Sequence, residues 1–381
     1  MACEYTYGKR GKKVCLCVFV EQWESGGIES FIFNLLTNIS LSLFDIDVVA
    51  SDLNKSIFTK PLQQLGINFV ELSGSYKLIF ENRRKFKKLL EERRYDVLHA
   101  NIFQGLSLYY LKLAFDERVP KRIAHSHNTD LRRSKTKPIK MLIHNAAKNL
   151  FTRYATDLWA CSETAAKFGF SRRELNQRGF KFIPNGIDVE KFQFNSTIRD
   201  EVRKKLNAEN KFIIGNVGRL CDQKNQSFLL EVFAQVKTRR PDSLLLLVGE
   251  GEDYSILQEK AEKLGVFDSV IFYGTTEKPE ELYQAMDVFV FPSKFEGFGI
   301  AAVEAQAAGL PVICSEYVPP EAKLFQCSTL PLDENQWTDA ICRITPEKRI
   351  FDAAETVKKK FSCAQVASMI QEQYLSGVGK E

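Results

Sequence analysis

The sequence has no long hydrophobic run, no C-x-x-C pair and no G-x-G-x-x-G fingerprint. The apolar run Val14–Val20 follows a basic stretch, but it is too short to cross a bilayer and lacks a small-residue cleavage site. We expect it to be a first buried strand, not a signal peptide. The nine cysteines are odd in number and scattered, which argues against a disulfide framework or a zinc site and fits a reducing compartment. We therefore expect a cytoplasmic protein.

Disorder and a single domain are also disfavoured. The chain has 381 residues, of which 44% are hydrophobic and 27% charged, an ordinary balance for a globular protein of two domains. Its net charge of +5 hides an asymmetry between the halves. Residues 1–185 hold 30 Lys and Arg against 18 Asp and Glu, whereas residues 186–381 hold 23 against 30.

Much of the basic excess lies in three short clusters. They are Arg83, Arg84, Lys85, Lys87 and Lys88; Arg93 and Arg94; and Arg132, Arg133, Lys135, Lys137 and Lys140. Such clusters suit nucleic acid, an anionic membrane or a phosphorylated substrate, and a solvated helix face explains any one of them equally well. Nucleic acid is the weakest of these readings because aromatic residues are not interleaved with the cations.

Strand-like apolar runs alternate with helical patterns along the whole chain, which is typical of parallel α/β units. The expected strands are Val14–Val20, Ile46–Ala50, Asn68–Leu72, Val97–Ala100, Arg122–His125, Leu158–Cys161, Phe212–Val217, Leu244–Gly249, Val270–Tyr273, Val288–Pro292 and Pro311–Cys314. The turn-rich segment Pro184–Asp188 separates two series. We predict an α/β protein of two doubly wound, Rossmann-like domains facing a central cleft, over residues 1–185 and 186–345, with a helix over 346–381.

Two carboxylates mark the segment 291–311. A strand and a loop lead into a helix from about Gly299 to Gly309 that is almost entirely small and apolar, with Glu304 as its only charged residue. A buried lone carboxylate requires a partner or a ligand, and the alternative is that it caps a neighbouring loop. Glu296 lies eight positions earlier, so the two groups suit contacts with two hydroxyl-bearing parts of one extended ligand.

A possible anion site follows the strand Phe212–Val217. In Gly215–Lys224, glycines allow close backbone approach before a helix begins near Asn225, and Arg219 and Lys224 supply two cations. A diphosphate is the ligand that this combination suits. Gly26 and Gly27 open the first helix in a similar way, either beside a phosphate or as a simple strand-to-helix turn.

Two of the four histidines, His125 and His127, stand at the carboxyl end of a predicted strand, where cleft residues belong. No third ligand for a metal is evident, so we expect one functional and one structural histidine. Asp45 and Asp47 spell D-x-D, a motif with which single-domain, metal-dependent glycosyltransferases hold a divalent ion. Here the motif introduces a strand instead of following one, and we do not assign it to a metal.

Taken together, these motifs resemble the retaining GT-B glycosyltransferases of family four, especially bacterial capsule and exopolysaccharide enzymes. The resemblance runs from Gly26 and Gly27 through Pro184–Asp188 to Gly309–Pro311, and its most specific part is the E-x7-E pair combined with the upstream R-x4-K pair. It implies an enzyme that needs no cofactor or metal and uses a nucleotide sugar, by family habit a UDP-sugar, as its donor. It also implies that the anomeric configuration is retained. We identify no residue in the sequence as a covalent nucleophile.

The resemblance also implies roles for particular residues. Arg219 and Lys224 would hold the donor diphosphate, Glu296 the transferred sugar and Glu304 the ribose diol. The remaining donor-binding residues would be Gly27, Gly218, Gly297, Phe298 and Gly299, with the loop Gly274–Glu277 meeting the base. His127 would lie near the reaction centre, giving a catalytic set of His127, Glu296, Arg219 and Lys224.

The basic first half would receive a saccharide or a polyprenyl-diphosphate-linked acceptor, at the inner face of the cell membrane. The acceptor would gain a hexosyl or N-acetylhexosaminyl group, and the product would be a unit of a capsule or exopolysaccharide. Two alternatives stay open: a UDP-sugar 2-epimerase of the same architecture, and a nucleotide-sugar-binding protein without turnover. The E-x7-E arrangement favours transfer over epimerisation, and the presence of Arg219, Lys224, Glu296 and Glu304 argues against a protein without turnover.

Overall fold

The computed structural model describes residues 13–24, 26–53, 56–73, 78–131, 136–346, 349 and 353–376 of the chain. The chain divides into two compact units. The first comprises Met1–Gly186 together with Cys363–Glu381, and the second comprises Ile187–Ser362. The sequence had placed the first boundary between residues 185 and 186 and the second between residues 345 and 346.

The first unit is built on a seven-stranded parallel sheet. Its strands are β1 (Val14–Gln22), β2 (Phe44–Ser51), β3 (Asn68–Glu71), β4 (Val97–Ile102), β5 (Lys121–Ser126), β6 (Asp157–Ala160) and β7 (Lys181–Phe182). They lie in the order β3-β2-β1-β4-β5-β6-β7. Because the chain proceeds from β1 to one side of the sheet and later to the other, the topological switch point lies between β1 and β4.

Helices connect these strands. They are α1 (Gly27–Asn38), α2 (Thr59–Gln64), α3 (Ile79–Arg93), α4 (Tyr109–Asp116), α5 (Lys137–Phe151), α6 (Glu163–Gly169) and α7 (Arg172–Arg178), with short 3-10 turns at Leu41–Leu43, Gly105–Leu108 and Thr152–Tyr154. Strand β1 is buried along most of its length, as expected for a central strand covered on both faces. Its side chains share one core with the apolar stripe Ile28, Phe31, Ile32 and Leu35 of α1.

The second unit repeats this topology with six parallel strands. They are β8 (Phe212–Val217), β9 (Ser243–Val248), β10 (Val270–Gly274), β11 (Val288–Phe291), β12 (Val312–Ser315) and β13 (Cys327–Leu330). Their order is β10-β9-β8-β11-β12-β13, so the switch point lies between β8 and β11. The predicted class, two doubly wound α/β units, is confirmed.

The second unit also has helices between its strands. They are α8 (Val189–Phe192), α9 (Ser196–Lys205), α10 (Gln226–Arg239), α11 (Tyr254–Lys263), α12 (Pro279–Ala285), α13 (Ile300–Ala307), α14 (Glu334–Cys342) and α15 (Ala353–Phe361), with 3-10 turns at Phe267–Ser269 and Pro320–Ala322. Helix α13 lies within the segment predicted from its small residues. Six of its eight residues are buried, which its alanines allow because they let neighbouring elements approach closely.

The end of the described chain contains two helices where the sequence indicated one. Helix α15 belongs to the second unit, and α16 (Cys363–Leu375) belongs to the first. Helix α16 packs against α1 and buries Val366, Ile370 and Tyr374 in the first unit's core. The two short strands β7 and β13 were not predicted, since neither contains the buried apolar run that revealed the others.

The predicted basic clusters have different environments. On α3, Lys85, Lys87 and Lys88 each pair with a glutamate four residues away at 3.5 or 3.6 Å, so this face is largely charge-balanced and solvated. Arg132, Arg133 and Lys135 lie outside the described residues. Within the described part of the chain, no helix is both long and apolar enough to cross a membrane.

Candidate functional site

The switch point of the second unit brings a cation and a carboxylate together. Lys224 lies in the loop after β8 and Glu296 in the loop after β11, and Lys224 Nζ donates to Glu296 Oε1 at 2.6 Å. Both side chains are largely buried, with 17% and 7% of their surface exposed. The ammonium group also lies 4.6 Å from the centre of the Phe291 ring, a cation–π contact. The sequence had assigned both residues to one ligand site.

Backbone hydrogen bonds hold the two loops in register. The Lys294 N–H donates to the Gln223 carbonyl at 2.8 Å, and Gln223 Nε2 donates to the Phe295 carbonyl at 3.0 Å. Asn225, in the left-handed region at the start of α10, donates from Nδ2 to the Pro292 carbonyl at 3.2 Å. Lys224 and Glu296 therefore project from a rigid pair of loops.

Glycines close the neighbouring strand ends tightly. Gly218, Gly249 and Gly274 end β8, β9 and β10 with φ of +152°, +130° and +79°, values that favour glycine. The Gly249 N–H donates to the Gly274 carbonyl at 2.8 Å, and a Cβ on Gly249 would lie 2.3 Å from the Gly218 carbonyl oxygen. Gly249 therefore allows the ends of β8 and β9 to pack closely, and the Lys224 side chain lies over Gly218, where a Cβ would be 3.2 Å from Lys224 Cε.

Arg219 is placed differently from Lys224. Its guanidinium is about half exposed and its Nε donates to Glu252 at 3.0 Å. The two cations that the sequence paired thus have separate partners in the unliganded protein. An exposed ion pair of this kind is weak, so Arg219 can exchange Glu252 for another anion at little cost.

The loop before α13 is shaped by its own glycine. Gly299 has φ of +93°, and a Cβ there would lie 3.2 Å from Val318 Cγ1, so this turn requires glycine. The preceding Phe298 is buried and its ring packs against Phe361, with 5.4 Å between ring centres. Phe298 is therefore part of the core. Gly297 is the residue between Phe298 and Glu296 in the sequence.

Glu304 has a partner that the sequence did not reveal. The buried hydroxyl of Tyr283, on α12, donates to Glu304 Oε2 at 2.8 Å. Although Glu304 keeps some solvent access, burial raises its pKa to about 7, while the Tyr283 hydrogen bond and the charge of Lys224 oppose this shift. Glu280 is a further, smaller cause of the raised pKa. Glu304 therefore titrates near neutral pH.

In the first unit, the Gly26–Gly27 turn opens α1. Gly26 is the N-cap residue, and its N–H donates to Glu29 Oε2 at 3.1 Å in a capping box. A Cβ on Gly27 would meet nothing within 4 Å. Gly27 therefore faces open space, and no contact within the described chain explains why it is glycine.

His127 lies just beyond the end of β5 and is buried. Its Nε2 is 2.9 Å from Asn101 Oδ1, and Asn101 Nδ2 donates to the Phe19 carbonyl at 3.2 Å. Because that second bond fixes the orientation of the amide, Nε2 carries the proton and Nδ1 the lone pair. Burial lowers the pKa of His127 to about 3, an effect that Asn185 only partly offsets, so the ring is neutral at physiological pH.

His125 belongs to a buried network that sequence reasoning missed. Its Nδ1 lies 3.1 Å from His99 Nε2, and His99 Nδ1 lies 2.6 Å from the Tyr374 hydroxyl. Burial lowers the pKa of both histidines. The sequence pattern contained no signal for this network, because His99 lies inside a strand and Tyr374 on the last helix.

The D-x-D motif has a structural role. Asp47 is buried and accepts hydrogen bonds from Arg93 Nε at 2.8 Å and from the hydroxyl of Tyr95. Asp45 is paired with the same arginine at 3.2 Å. Among the described residues, no group of three or more His, Cys, Asp or Glu side chains is arranged to hold a metal ion.

Two protein-family models match successive parts of the chain. Residues 25–191 match Glycosyltransferase Family 4, and residues 198–328 match Glycosyl transferases group 1. The chain is 31% identical over 329 residues to EpsF of Bacillus subtilis (strain 168), which is assigned as a glycosyltransferase, and the match covers 84% of each protein. The chain is a family 4 glycosyltransferase.

Further relatives extend this comparison. The glycosyltransferase is 26% identical over 307 residues to the UDP-Gal:alpha-D-GlcNAc-diphosphoundecaprenol alpha-1,3-galactosyltransferase of Escherichia coli, covering 76% of this chain and 78% of that protein. Its structure matches that of Anabaena HepE in complex with UDP and glucose with a TM-score of 0.77 at 20% identity, covering 95% and 99% of the two chains. It matches WaaG, a glycosyltransferase involved in lipopolysaccharide biosynthesis, with a TM-score of 0.69 at 16% identity, covering 95% and 100%. The GT-B fold predicted from the sequence is therefore confirmed.

Proposed function

We propose that this glycosyltransferase transfers a hexosyl or N-acetylhexosaminyl unit from a UDP-sugar to a saccharide or a lipid-linked saccharide, in the synthesis of a capsule or another exopolysaccharide. The observation that carries the proposal is the Lys224–Glu296 pair at the switch point of the second unit, 2.6 Å apart and largely buried. A cation and a hydroxyl acceptor at one point suit a ligand that joins a diphosphate to a sugar.

In this proposal the donor replaces contacts that exist in the free enzyme. Lys224 shares its charge between Glu296 and the diphosphate, and Arg219 leaves Glu252 for the same group. Both cations stabilise the departing diphosphate as negative charge develops on it. Glu296 accepts hydrogen bonds from the transferred sugar, and Glu304 from the ribose diol.

The backbone supplies the remaining donor contacts. We assign the phosphate to the backbone at Gly218, beside the Lys224 side chain, and the base to the loop Gly274–Glu277. Gly297, Phe298 and Gly299 fix the position of Glu296 relative to α13. Gly27 leaves open space for a phosphate in the first unit.

We propose that the reaction retains the anomeric configuration and requires no metal. Glu296 is held by an ammonium group at 2.6 Å, which suits a hydroxyl acceptor better than a nucleophile. In place of a covalent intermediate, the leaving diphosphate assists attack from its own face. His127 is neutral because its pKa is about 3, so it contributes a hydrogen bond near the sugar and carries no charge there.

The comparisons support the donor and acceptor classes of the proposal. HepE has been solved with UDP and with UDP-glucose. The E. coli relative takes galactose from UDP-Gal to a diphosphoundecaprenol-linked sugar. We extend both classes to this chain, a UDP-sugar as donor and a polyprenyl-diphosphate-linked saccharide as acceptor.

We further propose that the enzyme acts in the cytoplasm, bound peripherally to the anionic inner face of the membrane. Helix α5 carries its apolar residues outward, with Ile139 63%, Leu142 72% and Leu150 51% exposed. Together with Ile143 they recur at helical spacing on one side of the helix, and the buried His144 and Ala147 border this stripe. An outward apolar stripe on a basic unit suits an anionic bilayer.

A thermal-shift panel with UDP, GDP, ADP and several UDP-sugars tests the donor assignment. We expect stabilisation by the uridine ligands alone, lost in Lys224→Ala and kept in Lys263→Ala, whose lysine is exposed on α11 of the same unit. A shift with every nucleotide, or an equal shift in Lys224→Ala, would contradict the assignment. Conversion of the UDP-sugar to its 2-epimer in the absence of any acceptor would indicate an epimerase instead.

A further inference from the structure

The switch point of the first unit holds a cavity of its own. It has a volume of about 240 Å³ and is bordered by Glu21, near the end of β1, and by Gln104, just after β4. These strands are neighbours in the sheet, and in doubly wound folds ligands bind outside the carboxyl ends of the strands at this point. The cavity occupies the same topological position in its unit that Lys224 and Glu296 occupy in theirs.

One side of the cavity is polar. Gln104 Nε2 donates to Glu21 Oε2 at 3.3 Å, and burial raises the pKa of Glu21, opposed by hydrogen bonds from Ser107 and Gln104 and by the charge of Arg83. A carboxylate can accept about four hydrogen bonds, so Glu21 has acceptor positions left for a ligand. The carboxylate and carboxamide together offer both acceptors and donors to hydroxyl groups.

Arg83 supplies a donor that the protein itself leaves unused. Its guanidinium stacks on the Tyr109 ring at 3.9 Å, which fixes its plane. Its Nε is buried and has no hydrogen-bond partner within the described part of the chain. Buried donors are nearly always satisfied, so this one indicates a bound acceptor atom beside α3.

Apart from Asn82, the rest of the lining is formed by the apolar Ile79 and Leu106 and by Tyr110. The loop that carries Gln104 and Leu106 is rigid, since the Gly105 N–H donates to His144 Nδ1 at 2.9 Å. A site that combines polar groups with apolar side chains matches a sugar ring, which has hydroxyl groups around its edge and C–H groups on its faces.

We propose that this cavity binds one neutral pyranose ring of the acceptor, whose hydroxyl groups contact Glu21, Gln104 and Arg83. The proposal rests on the proposed glycosyl transfer and adds the chemistry of the acceptor. A phosphate or uronate is disfavoured because Glu21 would lie beside it. The volume is below the roughly 300–1,000 Å³ of sites for drug-sized ligands, so the cavity accepts a single ring.

The position of His127 supports this assignment. Asn101, which holds His127, lies on β4 three residues before Gln104, and its amide also bonds β1 at Phe19. The cavity, at the ends of β1 and β4, and His127, just beyond β5, therefore lie along the same carboxyl edge of three neighbouring strands. A pyranose bound there lies on the edge of the first unit that carries the histidine assigned to the reaction centre.

Saturation-transfer NMR on the full chain tests the proposal, in the presence of saturating UDP. The probes are the methyl α-pyranosides of glucose, galactose, mannose and N-acetylglucosamine, with methyl glucuronide as an anionic comparison. We expect at least one neutral glycoside to bind and to bind about tenfold more weakly in Glu21→Gln, because a hydrogen bond to a charged group is replaced by a neutral one. Glu92→Gln, which removes an exposed carboxylate on α3, is the matched control and keeps wild-type binding.

Two readouts keep the outcomes separate. Stabilisation by UDP should be the same in wild type, Glu21→Gln and Glu92→Gln, which shows that the variants are folded with the donor site intact. Arg83→Lys, which keeps the charge and loses the planar stack, should also weaken glycoside binding and serves if Glu21→Gln does not fold. Unchanged glycoside binding in both variants, preferential binding of the glucuronide, or no glycoside binding to a wild type that responds to UDP would each overturn the proposal. Absence of any UDP response would contradict the donor assignment alone.

Discussion

At the scale of single residues, the second unit's site is notable for charges held out of water. Lys224 and Glu296 are largely buried and compensate each other. Breaking such a pair leaves an unpaired buried charge, which costs more than the pair contributes. The same residues are those that we assign to the donor, so their effects on folding and on activity must be separated.

We predict that Lys224→Ala lowers the transfer rate by about 100-fold or more, through lost stabilisation of the leaving diphosphate. It should also lower the free energy of unfolding by about 1–3 kcal/mol, because Glu296 is left without its partner. Steady-state kinetics and urea denaturation measure the two effects.

The double variant Lys224→Ala with Glu296→Gln separates them. It removes the unpaired charge, so stability should return towards wild type while activity stays low. Recovery of transfer in the double variant would remove Lys224 from the mechanism.

Glu304 makes donor binding depend on pH near neutrality. Since its pKa is about 7, the carboxylate that accepts the ribose hydroxyls is lost as the pH falls through 7, and UDP affinity should fall with it. Glu304→Gln should bind UDP about tenfold more weakly at pH 8 and lack this pH dependence. Calorimetric titration of UDP from pH 5.5 to 8.5 measures both.

Stability gives an independent check on this titration. The folded state favours the protonated carboxyl, so wild type should lose stability relative to Glu304→Gln as the pH rises from 4.5 through about 7. Tyr283→Phe removes the hydrogen bond that opposes the shift, and the midpoint of UDP binding should move to higher pH. A midpoint that moves lower, or not at all, would mean that Tyr283 does not act on Glu304.

At the scale of elements, two helices begin at glycines for different reasons. Gly299, before α13, needs its left-handed backbone and has Val318 against it, whereas Gly27, at the start of α1, faces open space. Gly299→Ala should lower the free energy of unfolding by about 1–3 kcal/mol. Gly27→Ala should leave stability unchanged or slightly higher, since alanine favours helix, and should still reduce transfer. Full activity in Gly27→Ala would mean that this turn meets no ligand.

The outward stripe of α5 is the second element with a functional consequence. Replacing Ile139, Leu142 and Leu150 by serine should abolish binding to vesicles with anionic lipid and leave the melting temperature nearly unchanged, because these side chains are already exposed. Vesicle sedimentation at low and high salt measures the effect. The exposed Ile256, on α11 of the second unit, provides a matched control as Ile256→Ser. The membrane proposal would be contradicted if the triple serine variant bound vesicles as well as wild type, or if vesicle binding did not depend on anionic lipid.

At the scale of the whole molecule, most of the fold could be predicted because buried parallel strands are apolar along their length. Strands such as β1 and β9 stand out in the sequence, and the glycines and charges that follow β8 and β11 mark the switch point. The short strands β7 and β13 carry no such signal. The sequence also could not show which charges pair: Arg219 and Lys224 are near neighbours in the chain, yet they have separate partners.

Long-range contacts account for the remaining omissions. Tyr283 lies on α12 and its partner Glu304 on α13, while Tyr374 and its partner His99 are 275 residues apart in the sequence. Neither pair therefore forms a local sequence pattern. The cavity beside Glu21 depends equally on α3 and on the turn after β4. Such groups become visible only when the strands are placed in order.

Tyr374 also shows how the last helix supports the first unit. Its side chain is fully buried in that unit's core. Tyr374→Ala should lower the stability of the first unit by about 3–5 kcal/mol, and Tyr374→Phe by only about 1 kcal/mol, for the lost hydrogen bond. Hydrogen exchange followed in each unit should show the loss in the first and little change in the second. An equal loss in both would mean that the two units unfold together.

Because α16 follows the second unit in the chain but completes the core around β1, the first unit stays incomplete until the second has been synthesised. The whole of the second unit will have emerged from the ribosomal exit tunnel before α16 emerges. Until then, the face of α1 that later holds Val366 and Ile370 is open to solvent and available to chaperones. A stop codon between the second unit and α16 would therefore damage the first unit and leave the second complete.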